Sequence, residues 1–200
     1  MGRLSVAILG LAAVLAFAAC RGGAEKAPRS VNPGDLPELA LRLSDLPEGY
    51  QQVDGCGDAN AATPVPTPSD AIFLFFELPT ASGTTPSACL MSATVLLDSS
   101  DDAARSLEGI DKDFKIVHQP LVDSGCAVEQ LQISGLGDDG RGYGTTCASC
   151  AQLYQIAFRH GTVLSEVWLY TLDCPSSRDE AVSYARKQEQ RVEAALQDEP

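Results

Sequence analysis

The hydrophobic and polar positions alternate most regularly between residues 153 and 170, and this alternation predicts a β-hairpin. A two-residue turn that ends in glycine commonly joins two such strands. The sequence places His160 and Gly161 in that turn. Apolar side chains occupy one face of the hairpin on both sides of the turn: Tyr154, Ile156, Phe158, Val163, Val167 and Leu169.

Two earlier apolar runs predict a second pair of strands. Residues 72–76 form a compact run of Ile, Phe and Leu, and residues 89–97 are apolar and partly β-branched. Residues 114–117 and 126–133 are weaker strand candidates. Residues 134–142 are rich in glycine and aspartate and predict a loop.

Each pair of strands precedes a predicted helix. Serines and aspartates at residues 99–102 suit a helix N-terminus, and that helix is expected to end near Gly109. The second helix follows Pro175, with Ser177 and Glu180 spaced as a capping box. Its apolar stripe comprises Val182, Ala185, Val192 and Leu196, and its solvent-facing side comprises Lys187, Glu189, Arg191 and Glu193.

The order strand, strand, helix occurs over residues 72–110 and again over residues 151–197. Two such ββα-like halves predict an α+β fold, in which one antiparallel sheet has its helices packed on one face. A short helix is also expected near residues 36–43, before a turn at Pro47 and Gly49.

The first twenty residues have the composition of an export signal. Arg3 is the only charged residue before an apolar run at residues 4–19, and this run is shorter than the roughly 20 residues that cross a bilayer. Residues 18–20 (AAC) resemble the lipobox of bacterial lipoproteins, although Phe17 stands where that motif usually has Leu. The resemblance implies cleavage before Cys20 and a diacylglyceryl and palmitate anchor on this cysteine.

Two other interpretations of this segment remain open. Residues 16–18 (AFA) also form a signal-peptidase site, and cleavage there releases a soluble protein with a free Cys20. Alternatively, the segment stays attached as an uncleaved anchor. With cleavage before Cys20, the predicted organisation is a signal peptide at residues 1–19, a flexible tether at residues 20–35 and a single α+β domain at residues 36–198.

The charge balance excludes some classes of partner. The chain has 27 acidic and 14 basic side chains, and its net charge is −13. An acidic chain is repelled by phosphate backbones, so nucleic acid is not an expected partner. Anionic membrane surfaces repel it too, so membrane attachment is expected to depend on the lipid at Cys20.

The seven cysteines favour three disulfides in an exported protein, because six remain once Cys20 is lipidated. A hairpin turn at residues 160–161 brings one pair into register, and a second hairpin centred near residue 138 brings together another pair. The third bridge joins the remaining two cysteines. The predicted bridges are Cys147–Cys174, Cys126–Cys150 and Cys56–Cys89.

Few residues suit catalysis or cofactor binding. The CxxC motif at residues 147–150 leads into a strand, whereas a thioredoxin-type pair begins a helix. Residues 138–140 (DDG) lack the spacing and the closing Glu of an EF-hand, so they are interpreted as solvated turn residues. His118 and His160 belong to no hydrolase motif. We therefore expect no catalytic residue, no metal site and no cofactor.

The other face of the predicted hairpin is a candidate binding surface. Apolar side chains flanked by charges suit a small ligand or a partner protein. The predicted register places Leu153 opposite Trp168. Alternatively, a loop at residues 57–70 or 79–88 covers this face. We call this surface the Trp168 face, and its candidate binding residues are Leu153, Arg159, Leu164, Glu166, Trp168 and Tyr170.

Four short motifs occur in an order that resembles a known group of proteins. They are DLPEGY at residues 45–50, GLGD at residues 135–138, FRHG at residues 158–161, and the arginines of the helix at residues 185–191. Together they resemble uncharacterised bacterial lipoproteins akin to the extracellular PknH-type sensor domain of actinobacterial receptor kinases. The resemblance spans residues 36–197. It implies an α+β fold with a groove for ligand binding, and no catalytic residues.

The sequence thus favours a lipid-anchored extracytoplasmic protein that binds an unknown small ligand or an envelope protein. The alternatives are a secreted thiol oxidoreductase or hydrolase, and a structural interaction protein of the envelope. An enzyme should have a cleft in which titratable groups converge. A structural partner should instead have a flat apolar patch around Trp168.

Overall fold

The computed structural model describes residues 31–55, 70–80, 86–123, 125–148, 151–171 and 178–197. The strands are β1 (Gln51–Val53), β2 (Ala71–Pro79), β3 (Pro86–Leu96), β4 (Ala127–Gln130), β5 (Asp139–Thr146), β6 (Gln152–His160) and β7 (Val163–Thr171). The α-helices are α1 (Leu36–Leu39), α2 (Ser100–Asp123) and α3 (Arg178–Gln197), with short 3-10 helices at Pro33–Asp35 and Leu43–Asp45. None of the described helices is long and apolar enough to cross a membrane.

The seven strands form one open antiparallel sheet in the order β1-β2-β3-β7-β6-β5-β4. The predicted hairpin β6–β7 and the predicted pair of strands β2 and β3 meet at the centre, where β3 pairs with β7. The predicted α+β class is confirmed. The described part begins at Val31, which is buried in the core, and the predicted signal peptide and Cys20 lie outside the described residues.

One face of the sheet, here called the α3 face, is covered by α1 and α3. The alternation of the strands directs Ile156, Phe158 and Leu169 to this face, and all three are fully buried. The buried stripe of α3 is wider than the sequence predicted, because it also includes the polar residues Gln188 and Glu189. The full stripe comprises Ala181, Tyr184, Ala185, Gln188, Glu189 and Val192. Glu189 was expected to face solvent, and this expectation was wrong.

The helix α2 packs on the opposite face, which corrects the expectation that the helices share one face. Leu107 and Ile110 of α2 contact Ala157 and Leu164 of the hairpin. Because β6 carries apolar side chains on both faces, burial of the strand requires packing on both sides. Part of the Trp168 face is therefore covered by α2.

The turn of the β6–β7 hairpin consists of Gly161 and Thr162, one residue later than predicted. Its strands close with His160 paired to Val163. Gly161 occupies the first turn position with a φ of 56°, a left-handed conformation that glycine adopts without a steric penalty. Each residue of β6 consequently lies opposite a different residue of β7 from the one that the sequence predicted.

Two further segments differ from the sequence predictions. Residues 114–117, predicted as a strand, lie inside α2, which continues through Gly109 to Asp123. Residues 134–142, predicted as a loop, include the beginning of β5. That strand has glycine at alternate positions, and glycine weakens the pattern by which strands are recognised.

Candidate functional site

The structure brings the six predicted binding residues to the same face of the sheet. Trp168 lies opposite Gln155 on β6 and Met91 on β3, whereas Leu153 lies opposite Tyr170 rather than Trp168. Tyr170 is 38% exposed. The other five are half-buried: Leu153, Arg159, Leu164, Glu166 and Trp168. This surface is more enclosed than an open platform.

Polar groups on the Trp168 face are only partly satisfied. The Gln155 side-chain amide donates a hydrogen bond to Glu166. Its carbonyl oxygen is buried and accepts no hydrogen bond from the described residues. Arg159 is directed away from this pair, toward Asp138, with 3.2 Å between its Nη1 and the Oδ2 atom. The loops proposed to cover this face lie largely outside the described residues, so their position stays a prediction.

The observed disulfide joins Cys126 to Cys147, and the predicted bridges Cys147–Cys174 and Cys126–Cys150 were wrong. Pairing of β4 with β5 places Ala127 opposite Thr146, and the two cysteines extend that register by one residue. The sequence prediction failed because it treated the beginning of β5 as a loop and because Cys147 follows β5 instead of extending the β6–β7 ladder. The bridge also argues against a redox pair within the CxxC motif, since Cys147 has its partner elsewhere.

Cys89 is disulfide-bonded as well, and the described residues do not include its partner. The proposed bridge from Cys89 to Cys56 therefore stays a prediction. Cys56, Cys150 and Cys174 lie outside the described residues.

A group of titratable side chains that the sequence did not predict lies at the tip of the β6–β7 hairpin. We call it the hairpin-tip cluster, and it comprises His160, Glu189, Glu193 and Asp138. His160 Nε2 is 3.9 Å from Glu189 Oε1 and 3.6 Å from Glu193 Oε1, while Nδ1 faces Asp138 Oδ1 at 3.9 Å. The Nε2 atom is buried and forms no hydrogen bond with the described residues.

The loop before β5 holds the cluster in place. Asp138 Oδ2 accepts the backbone N–H of Gly161 at 2.8 Å, and the Asp138 backbone donates to Arg159 O at 2.8 Å. Gly137 donates its N–H to Glu189. Gly137 has a φ of 61°, and a Cβ atom at this position would collide with the carbonyl oxygen of Arg159. The GLGD segment thus ties the hairpin to α3.

The sequence contained one usable indication of this cluster. Glu189 and Glu193 are separated by four residues, so they lie on the same side of a helix. The strand–turn–helix order does not reveal that the hairpin tip reaches this side of α3. His160 was interpreted only as a turn residue for that reason.

Another ion pair fixes the N-terminal segment to α3. Arg191 binds the Asp45 carboxylate through two hydrogen bonds of 2.7 and 2.9 Å, and Lys187 Nζ donates to the Asp45 carbonyl. Burial opposes ionisation of Asp45, but the Arg191 guanidinium and the Arg42 backbone N–H outweigh it and hold the pKa of this carboxyl below its ordinary value. The DLPEGY motif therefore has a structural role at this point.

Two tyrosines extend the same contact area. Tyr50 and Tyr184 meet edge to face with their ring centroids 6.4 Å apart, and Tyr184 donates its hydroxyl to Glu180 at 2.7 Å. Burial raises the pKa of both hydroxyls above the ordinary range. Both tyrosines are consequently neutral hydrogen-bonding groups at physiological pH.

The structure also contains a shallow depression of about 470 Å³ beside α3. None of the six predicted binding residues lines it. Its lining side chains belong to α3 alone: Asp179, Val182, Ser183, Arg186, Lys187 and Gln190.

Comparison with protein-family models gives no match, and comparison with curated proteins gives none either. Among solved structures, the chain is similar to the extracellular domain of PknH from Mycobacterium tuberculosis, with a TM-score of 0.56 and 14% sequence identity. The similarity covers 83% of this chain and 98% of that domain. The chain therefore shares the fold of that extracellular domain, and the α+β fold that the sequence motifs implied is confirmed.

Proposed function

We propose that the protein is a non-catalytic extracytoplasmic binding or sensor domain that a lipid on Cys20 anchors to the membrane. The observation that carries this proposal is the fold shared with an extracellular domain, matched over 98% of that domain. The lipobox-like residues 18–20 and the disulfide between Cys126 and Cys147 agree with export to an oxidising compartment.

The Trp168 face is the proposed contact surface for a small ligand or an envelope protein. It combines aromatic, apolar and charged side chains that are only partly buried, and Tyr170 remains 38% exposed. Its buried Gln155 carbonyl oxygen has hydrogen-bonding capacity that no described residue uses. Aromatic side chains with nearby unused polar groups are typical of binding sites.

The anchor is tested by the mass and location of the mature protein from a bacterial host with lipoprotein processing. We expect an N-terminal Cys20 with a diacylglyceryl adduct, recovery in the membrane fraction, and a mass gain of about six hydrogens on reduction of three disulfides. The Cys20→Ser variant should lose the adduct and leave the membrane fraction. An unlipidated wild-type chain with free thiols would reject both the anchor and the structural disulfides.

The binding surface is tested with Nile red, a neutral apolar dye that an acidic protein does not repel. Trp168 is the single tryptophan of the chain, so a change in its own emission when the dye is added reports binding near this face. We expect this change and enhanced Nile red emission in the wild-type protein, and loss of both in Tyr170→Glu, which removes an exposed aromatic group from the face while keeping Trp168.

Leu43→Glu is the matched control, because Leu43 is 45% exposed and lies in a 3-10 helix outside the Trp168 face. This variant should bind Nile red as the wild type does. Equal loss in both variants, or no binding by the wild type, would reject a ligand-binding role of the Trp168 face.

A further inference from the structure

We propose that the hairpin-tip cluster binds a divalent transition-metal ion, with Zn²⁺ preferred, through His160 Nε2, Glu189 Oε1 and Glu193 Oε1. Each of the three residues offers one ligand atom, and these atoms lie within 4.8 Å of one another. They come from the tip of the β6–β7 hairpin and from successive turns of α3. An ion at this position would therefore join the hairpin to the helix.

The separations of the ligand atoms suit a small ion. Two ligands that each lie about 2.1 Å from a tetrahedral ion are roughly 3.4 Å apart. The distances from His160 Nε2 to the Glu189 and Glu193 oxygens are 3.9 and 3.6 Å. Each oxygen thus has to approach Nε2 by roughly 0.5 Å or less to reach bonding geometry. Glu193 can move readily, since its side chain is 47% exposed.

The surroundings of the imidazole match those of a metal-binding histidine. Such a histidine usually directs its second ring nitrogen to a carboxylate, which orients the ring. Asp138 Oδ1 occupies this position, 3.9 Å from His160 Nδ1. The opposite nitrogen, Nε2, is buried, faces the two glutamates and has no hydrogen-bond partner among the described residues.

The neighbouring charges position Glu189 without occupying all of its oxygen lone pairs. Gly137 donates its N–H to Oε1, which keeps a second lone pair, and Arg186 faces Oε2 at 3.8 Å. A divalent ion would neutralise the two glutamates. One imidazole with two carboxylates suits Zn²⁺ or a similar transition metal, whereas Ca²⁺ prefers six to eight oxygen ligands.

The test is calorimetric titration of the full chain, with its disulfides intact and its metals removed by a chelator, using ZnCl₂ and separately CaCl₂. We expect one equivalent of Zn²⁺ to bind tightly and Ca²⁺ to bind at least tenfold more weakly. Glu193→Gln and His160→Asn should each weaken Zn²⁺ binding at least tenfold. Glu193 is suitable because it is exposed, so its substitution should not unfold the protein.

Two matched controls carry the same chemical changes elsewhere. Glu108→Gln alters an exposed glutamate of α2, and His118→Asn alters the second histidine of the chain. Both should bind Zn²⁺ as the wild type does. Absence of Zn²⁺ binding, equal affinity for Ca²⁺, or equal effects in the controls and the cluster variants would overturn the proposal. The cluster would then be a polar contact between the hairpin and α3 without a metal.

Discussion

The α3 face and the Trp168 face belong to the same strands, yet they are built differently. On the α3 face, Gln188 is fully buried and its amide both accepts from Ser92 and donates to Ala93 O and Thr94 Oγ1, at 2.9–3.0 Å. On the Trp168 face, the Gln155 carbonyl oxygen is buried without a hydrogen bond from the described residues. The comparison indicates that the α3 face holds the fold together, whereas the Trp168 face retains a hydrogen-bond acceptor for contact with a ligand or partner.

The largest expected effect is on the α3 face, where Phe158→Ala should lower the free energy of unfolding by about 3–5 kcal/mol. Phe158 is fully buried among Ile156, Leu169 and the side chains of α3, so truncation leaves a cavity. Urea denaturation with the disulfides intact measures the change. A loss of less than about 1 kcal/mol would contradict the view that this face holds the fold.

Gln188→Leu should lower the free energy of unfolding by about 2–3 kcal/mol, although leucine is more apolar. The substitution removes the acceptor of the Ser92 hydroxyl and the donor to Ala93 O and Thr94, and unsatisfied buried groups are costly. Gln190→Leu is the control, because Gln190 is exposed on the same helix. Similar stability of the two variants would mean that the buried network contributes little.

Much of this architecture could be predicted from the sequence. The alternation at Ile156 and Phe158, and the apolar runs of β2 and β3, are direct consequences of burial against a helix-covered face. They identified the hairpin β6–β7 and the strands β2 and β3. The register of β6 against β7 could not be predicted, because Gly161 fits either position of a two-residue turn. The choice between the two positions depends on how the residues of β6 and β7 pair along the whole hairpin.

The candidate site was less accessible to sequence reasoning. The six residues of the Trp168 face were identified by their period of two, but the cover of Leu164 by α2 depends on Leu107 and Ile110, which lie far away in the chain. The Cys126–Cys147 bridge depends on β5, whose alternate glycines hide its strand character. The hairpin-tip cluster joins segments that meet only in the folded protein.

Trp168→Ala should lower the free energy of unfolding by about 1–2 kcal/mol, less than Phe158→Ala on the opposite face. The reason is that Trp168 is only half-buried, so its truncation exchanges less apolar area with water. The two variants are compared in the same urea titration. Equal losses would show that both faces are packed alike, and the distinction between them would not hold.

The smallest expected effect concerns the edge of the α3 face, where Asp45→Asn should lower the free energy of unfolding by about 1 kcal/mol at neutral pH. Arg191 keeps the pKa of Asp45 below its ordinary value of 3.8, so this carboxylate stabilises the folded state above that pH. Its contribution is lost as the pH falls through the folded-state pKa. The wild-type and Asp45→Asn stabilities should therefore converge in acid.

Asp98→Asn, at an exposed site, should show no such pH-dependent difference. A constant difference between Asp45→Asn and the wild type from pH 7 to pH 2 would assign the effect to packing rather than to charge.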